Sequence, residues 1–386
     1  MACSRRTFVR TLGVGGAAAL SGALASRGRS PFTLGLDAAL FAAEGPILLH
    51  NNENPLGPGE AALAAMRAAV GGGAPAGRYP RSFDDLLRAL AEAQHVSPDQ
   101  IHIGCGSTQL LRSAVKVFTS PTRPLVNGAP SYEECTEYAQ LLGTPVRAVP
   151  LDASLRLDLD AMAEAAKGAG LVYVCNPNNP TATVHAGDAV SGFVSRVLKA
   201  SPDTVVLIDE AYHDYVTDPA YRSLIPMAAK ERRLIVARTF SKAHGMAGLR
   251  VGYVISHADT IRRLRDWEGA DSLNLLGLAA AAASIRDTER IARERDRNTE
   301  ARTYTVEWFR KAGYRVADSQ ANFIFVDIGR PARGFREACR QQGVLVARDF
   351  PPFERSHVRI SIGTLDEMKR ATEVFGTVLA APAAAA

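Results

Sequence analysis

Residues 234–255 read LIVARTFSKAHGMAGLRVGYVI: an apolar run, a lysine among small residues and glycines, an arginine eight residues on, and a second apolar run. Residues 234–237 and 251–255 have the length and Val/Ile/Leu content of buried strands, so Lys242 sits in the loop that leaves the first of them. A lone loop lysine is usually a solvated charge, and its neighbours along the chain decide whether this one is.

Upstream, short apolar runs at 125–127, 145–149, 171–174 and 205–208 alternate with helix-length segments. That alternation predicts an α/β fold with a mainly parallel sheet covered by helices. In open sheets of this class ligands gather at the carboxyl ends of the strands. The run at 171–174 leads into CNPNNPT, the run at 205–208 into Asp209-Glu210-Ala211-Tyr212, and the run at 234–237 into the lysine loop. Asn179, Asp209 and Lys242 are 30 and 33 residues apart, about one strand-helix-strand unit each. An amide, a carboxylate and an amine are thereby brought to one rim.

Beyond Ser256 the sequence turns to charged helix, notably 285–311, and then to strands at 322–326, 344–347 and 358–362, which predicts a smaller α+β domain. The expected organisation is a signal peptide at 1–25, an N-terminal arm and small-domain segment at 26–75, a large domain at 76–283, a small domain at 284–380 and a disordered tail at 381–386. The glycine-rich stretch 71–75 reads as a flexible loop.

The 386 residues are 47% hydrophobic and 22% charged, an ordinary globular balance with room for a sizeable core. The formal charge is +5, but Arg5, Arg6 and Arg10 fall in the first 25 residues, which hold no Asp or Glu. The remaining 42 basic and 40 acidic side chains leave +2. Such a balance gives no argument for a nucleic-acid or membrane surface as partner, and neither is expected. No apolar run reaches the ~18 residues of a spanning helix, so stable membrane insertion is not expected. Cys3, Cys105, Cys135, Cys175 and Cys339 form no CxxC pair and no cluster at ligand spacing, so they read as isolated thiols and no metal site is expected.

Residues 4–9 read SRRTFV and precede a weakly apolar stretch and Ala23-Leu24-Ala25, a small-x-small cleavage signal. This order resembles a twin-arginine export signal, with Arg10 where that pattern prefers lysine. The mature chain is expected to begin near Ser26, in the periplasm or outside the cell, with the cytoplasm as the alternative if the signal is unused. GVGGAA at 13–18 matches GxGxxA, but no strand precedes it and no acidic strand end follows, so it is signal-peptide glycine rather than a dinucleotide site.

The amide, carboxylate and amine suit a cofactor with a phenolic oxygen, a basic ring nitrogen and an aldehyde, and pyridoxal 5'-phosphate carries all three. Lys242 would form the Schiff base, Asp209 would keep the ring nitrogen protonated, and Asn179 with Tyr212 would bond the phenolic oxygen. The phosphate is expected at GCGST, 104–108, where the N–H groups around Gly106 and Thr108, the Ser107 hydroxyl and the dipole of a helix over 109–118 would meet it. Arg250, beyond a turn at Gly245 and Gly248, would add positive charge, and Thr239 and Ser241 hydroxyl donors. Tyr132 follows another strand end and is placed to stack on the ring. His213 and His244 are assigned no role, and Arg348 reads as a surface ion pair.

SKAHGMAGLRVGY, IDEAY, NPNNPT, GCGSTQ and the early NNENPLGP together resemble the ordered motifs of fold type I pyridoxal-phosphate aminotransferases of class I/II, nearest the histidinol-phosphate aminotransferase branch. The resemblance spans 49–363. It implies a homodimer that takes a small-molecule amino donor and a 2-oxo acid acceptor in turn, by a ping-pong Schiff-base mechanism. It implies further that Tyr79, in RYP, reaches the cofactor phosphate of the partner subunit, that Arg359, in VRIS, clamps the substrate α-carboxylate, and that Asn54, in NNENPLGP, lies on the substrate side. Two positions depart from the branch: Thr108-Gln109 stands where Asp-Glu is usual, and Ala182 stands where glycine usually follows NPT. An amino-acid oxidase, cyclase or decarboxylase on the same scaffold is the alternative, because cofactor motifs do not say which bond at Cα breaks.

Overall fold

The computed structural model describes residues 45–71, 77–80, 82–267 and 273–381. The export-signal residues, most of the glycine-rich loop and the tail after Ala381 lie outside the described residues. From the N-terminal side the elements are β1 (Ile47–Leu49), α1 (Glu60–Val70), α2 (Asp84–Gln94), β2 (Ile101–Cys105), α3 (Gly106–Phe118), β3 (Leu125–Ala129), α4 (Glu134–Leu141) and β4 (Val146–Pro150). Then come α5 (Leu159–Ala165), β5 (Leu171–Cys175), α6 (Gly187–Ala200), β6 (Val205–Asp209), α7 (Ile225–Ala228), β7 (Leu234–Thr239), β8 (Val251–Ile255), α8 (Ala258–Arg265) and α9 (Leu275–Ser284). The chain continues with α10 (Thr288–Lys311), β9 (Arg315–Val316), β10 (Phe323–Asp327), α11 (Ala332–Gln341), β11 (Val344–Val346), β12 (His357–Ser361) and α12 (Leu365–Ala380).

Seven strands form one sheet in the order β2-β8-β7-β6-β5-β3-β4. Strands β3 to β7 run parallel, while β8 is antiparallel to both β7 and β2. The loop bearing Lys242 is too short for a crossover helix, so β8 returns antiparallel. Every residue of β5, β6, β7 and β8 is buried, as sheets covered on both faces require. Side chains alternate between two cores: Val172, Val174, Val206, Ile208 and Val236 face one, and Leu171, Tyr173, Val205, Leu207 and Ile235 the other.

A separate core gathers Leu49, Phe309, Ile324, Val344, Ile360 and Phe375 around the antiparallel sheet β12-β10-β9 and the parallel pair β1-β11. Its two long helices begin at side-chain caps. Asp287 accepts the Arg290 N–H at 3.1 Å, which starts α10 at Thr288 rather than at the expected 285. Thr364 and Glu367 form a reciprocal capping box on α12. That helix runs through Ala380. Cys105, Cys135, Cys175 and Cys339 are free thiols. Among the described residues no helix is long and apolar enough to cross a membrane.

One connection matters most for the site. β1 pairs with β11 in the smaller core, whereas α1 places Ala62 in the core of the large sheet. The intervening residues therefore cross from one core to the other as a strap.

Candidate active site

The strand order reverses between β3 and β5, the switch point at which open sheets bind ligands. Ser131 Oγ donates to Asn178 Oδ1 at 2.8 Å and ties the loops after those two strands together. Along the same rim the loops after β5, β6 and β7 bring Asn179, Asp209 and Lys242 together, as their spacing predicts.

Asp209 ends β6 and is only 2% exposed. Its Oδ2 accepts from the Tyr173 hydroxyl at 2.9 Å and its Oδ1 from the Ala211 N–H at 3.1 Å. Burial pushes the carboxyl up to about 6, against the pull of those two donors and of Lys242. A carboxylate buried this far is short of a cation, and a protonated ring nitrogen would provide one.

Lys242 is half-buried, with Nζ donating to the Asn51 carbonyl at 3.2 Å and lying 5.7 Å from the Tyr212 ring centroid. Burial lowers its ammonium to about 8; Arg359 and Arg250 push the same way, and Glu53 and Asp209 oppose. An amine in that range can give and take a proton near neutral pH.

Arg359 reaches in from β12 and is 7% exposed. It donates Nη1 to Asn179 Oδ1 and Nη2 to the His50 carbonyl, both at 2.6 Å. Its Cζ lies over the rings of Phe323 and Phe350 at 5.5 and 4.8 Å, and its Nε has no partner. Asn179 Nδ2 stands 3.5 Å from the Tyr212 hydroxyl, which also accepts from Asn52 Nδ2 at 3.2 Å. Burial pushes the Tyr212 phenol well above its ordinary range, and Arg359 pulls it back. Tyr132 bonds to Thr108, and burial raises it to about 12.

Helix α3 begins at Gly106, whose φ is +72°. A Cβ there would stand 2.3 Å from Arg250 Nη2, so only glycine lets that guanidinium lie against the helix start. Ser107 and Thr108 fill the first turn of α3, which begins three residues before the expected 109. Thr239 Oγ1 donates to Ser241 Oγ at 2.9 Å and accepts the Ser241 N–H at 3.1 Å. The turn differs in detail from the expectation. Gly245 takes positive φ, but Gly248 does not; the second left-handed residue is Arg250 itself, at +55°. Tertiary contacts impose on Arg250 a conformation that sequence assigns to glycine.

The strap supplies Asn52, which the sequence did not single out, beside Asn54, which it did. Asn52, at φ +57°, donates its N–H to Ser361 Oγ, accepts from that hydroxyl on Oδ1, both at 2.8 Å, and its carbonyl accepts from Asn322 Nδ2 at 3.0 Å. Asn54 Nδ2 donates to the Ala243 carbonyl at 2.9 Å, which holds the strap against the lysine loop, and Asn54 Oδ1 accepts the Leu56 N–H at 2.9 Å, which turns the strap on itself. The signal was the run of asparagines in NNENPLGP, whose side chains bond local backbone and tolerate positive φ.

The remaining residues fall outside this ring. Tyr79 is 87% exposed. His213 and His244 line a cavity of about 210 Å³ with Arg238, Thr239 and Arg295; burial lowers both imidazoles to about 3. His213 faces Asp214 at 3.2 Å, and His244 Nδ1 bonds Ser284 Oγ at 2.7 Å. Arg348 pairs with Glu133. Ala182 is fully buried at φ +62°, a left-handed position that suits the glycine the resemblance implies there.

The donor set fits pyridoxal phosphate: an amine for its aldehyde, an uncompensated buried carboxylate for its ring nitrogen, an amide and a phenol for its oxygen, and a glycine-floored helix start beside a guanidinium for its phosphate. The sequence profile of the aminotransferase class I and II family matches residues 44–375. The histidinol-phosphate aminotransferase of Symbiobacterium thermophilum is 36% identical over 336 residues, covering 86% of this chain and 90% of that protein. That of Moorella thermoacetica is 36% identical over 335 residues, covering 85% and 83%. The structure of the Sinorhizobium meliloti histidinol-phosphate aminotransferase in complex with pyridoxal-5'-phosphate superposes with a TM-score of 0.81 at 27% identity, covering 86% of this chain and 90% of that one. The chain belongs to the class I and II aminotransferases, in their histidinol-phosphate aminotransferase-like part, and is a pyridoxal-phosphate-dependent transaminase of fold type I.

Proposed function

We propose that this transaminase moves an amino group between an α-amino acid, or an amine resembling histidinol phosphate, and a 2-oxo acid, in two alternating half-reactions. The observation that carries the reading is Arg359. A guanidinium this buried, shared between Asn179 and the His50 carbonyl and keeping an unpartnered Nε, is short of an anion, and a carboxylate suits its planar fork. Named relatives that act on histidinol phosphate support the amine alternative.

When bound, pyridoxal phosphate supplies an aldehyde that captures amines and a ring that accepts the electron pair released at Cα. Around it Asp209 would hold the ring-nitrogen proton, Asn179 and Tyr212 the phenolic oxygen, and Arg250 with Gly106, Ser107, Thr108, Thr239 and Ser241 the phosphate. Tyr132 would cover the ring face. Arg359 would fix the substrate carboxylate, and the Nζ of Lys242 would take the Cα proton and hand it back on the far side of the reaction.

The same reading includes a homodimer in which Tyr79 serves the partner's phosphate, supported by the exposure of this large side chain, and twin-arginine export, supported by SRRTFV and the Ala23-Leu24-Ala25 site. The visible spectrum of the purified protein, read before and after each of a panel of amines, tests the central claim. A donor that converts the bound cofactor stoichiometrically, reversed by a 2-oxo acid, is expected. Oxygen uptake or carbon dioxide release in place of that exchange sinks it. For the dimer, Tyr79→Phe should loosen the cofactor while sizing stays dimeric; a fully active monomer refutes the shared site. Full-length protein confined to the cytoplasm on fractionation refutes export.

A further inference from the structure

The strap has two anchors of different kinds. At its start Asn52 is bonded to Ser361, Asn322 and Tyr212, and His50 to Arg359. At its end the strap meets the lysine loop through the Asn54 amide and through one side chain that grips both segments. Arg290, in the first turn of α10, donates Nη2 to the Gly57 carbonyl at 2.7 Å and Nη1 to the Ala243 carbonyl at 3.1 Å. Ala243 directly follows Lys242, and its carbonyl also takes the Asn54 amide. The two segments touch so closely that a Cβ on Gly245 would stand 2.0 Å from the Gly57 oxygen. No ion pair of Arg290 occurs among the described residues, so two carbonyl dipoles are what its fork answers to. The Asp287 cap fixes its backbone at the start of the helix. A planar fork with two donors in fixed relation suits two acceptors on different segments, and an ammonium does not.

We infer that Arg290 is a positioning residue for Lys242: it fastens the lysine loop to the strap. The Asn51 carbonyl and Lys242 Nζ are thereby kept in register at 3.2 Å. A lysine freed from the cofactor then stays aimed across the site. The inference rests on the proton-carrying role proposed for Lys242.

Two variants test it. Arg290→Met keeps the apolar stem and removes both donors, while Arg290→Lys reaches one carbonyl at a time. In the Met variant's cofactor-free protein, hydrogen exchange at residues 51–57 and 243–245 should quicken about tenfold. In its loaded enzyme kcat should fall about tenfold with KM changed less than about threefold, the mark of a lost transition-state alignment. The Lys variant should fall between the two, with about a threefold loss in kcat. A Met variant with parental exchange, or with faster exchange and parental kcat, overturns the inference. Should that variant fail to fold, parental exchange and kcat in the Lys variant overturn it equally. If the parent shows no cofactor absorbance, it is the proposed function that fails, and the exchange experiment on cofactor-free protein still decides whether Arg290 holds the strap.

Discussion

On the proposed reading the cofactor side is Asp209, Lys242 and Arg250, which end or join β6, β7 and β8, strands of one sheet that are buried throughout. The substrate side is assembled otherwise: Arg359 bonds residues 180 and 309 positions away, and Asn52 bonds Tyr212 across 160. The cofactor side is secured by the core beneath it, and its residues stand ready before anything binds. The substrate side depends on the smaller core and the strap being docked. Changes on the first side, and in the Arg290 tie that joins the strap to the lysine loop, should therefore damage chemistry, and changes at the carboxylate-facing residues of the second should damage affinity.

The largest effect tests the first half of that contrast. Lys242→Ala should lower kcat on the order of 10⁴-fold or more, because anchor and proton carrier vanish together. Single-turnover kinetics with added donor measure it; retention of a tenth of the parental rate would break the assignment.

Asp209→Asn comes next, and it separates function from stability. The folded carboxyl, near 6, lies above the 3.8 of its unfolded counterpart. Between those values the folded cofactor-free protein binds the extra proton, so stability falls as pH rises from 3.8 to about 6 and stays reduced above. The penalty is about 3 kcal/mol. The Asn variant should be more stable than the parent at pH 7.5 by about 2 kcal/mol without cofactor, yet about 10³-fold slower with it. Denaturation midpoints across pH 4–8 provide the check, and an Asn variant no more stable than its parent would remove the idea of an uncompensated carboxylate.

On the other side, Arg359→Lys should raise KM for carboxylate substrates about 30-fold, roughly 2 kcal/mol, with kcat within about fivefold, since an ammonium cannot reproduce the fork. A larger loss in kcat than in affinity would erase the contrast between the two sides. The smallest effect is at Ala182. Glycine there should relieve a left-handed alanine and raise stability by about 0.5–1 kcal/mol, the relief being offset in part by the freer unfolded chain. Activity should stay within about twofold, because the methyl packs with Tyr212 and Phe323 in a small buried cluster rather than meeting substrate.

The cofactor side was legible because strand ends carry their chemistry with them: an apolar run followed by Asp209, or by Lys242, places the side chain without further information. The sheet's one reversed strand follows from the length of the Lys242 loop. The strap was legible only as an asparagine-rich motif. Which amide serves the site and which serves the backbone depends on contacts with Ser361, Asn322 and Ala243, and no local pattern encodes those. The substrate role implied for Asn54 met an amide already engaged at both ends, while Asn52, which passed unremarked, bonds Tyr212 directly. Gly248 looked like a turn residue by composition, but the left-handed position belongs to Arg250, held there by its neighbours.

By itself the sequence determined the alternation of buried strands and helices, and the residues proposed as the cofactor's partners with their order along the rim, because burial period and strand-end chemistry are local properties. The tertiary structure decided how Arg359 meets Asn179, how the strap crosses from one core to the other, and that Arg290 joins it to the lysine loop. Those contacts form between residues far apart in the chain, and only after both cores have packed do their positions coincide.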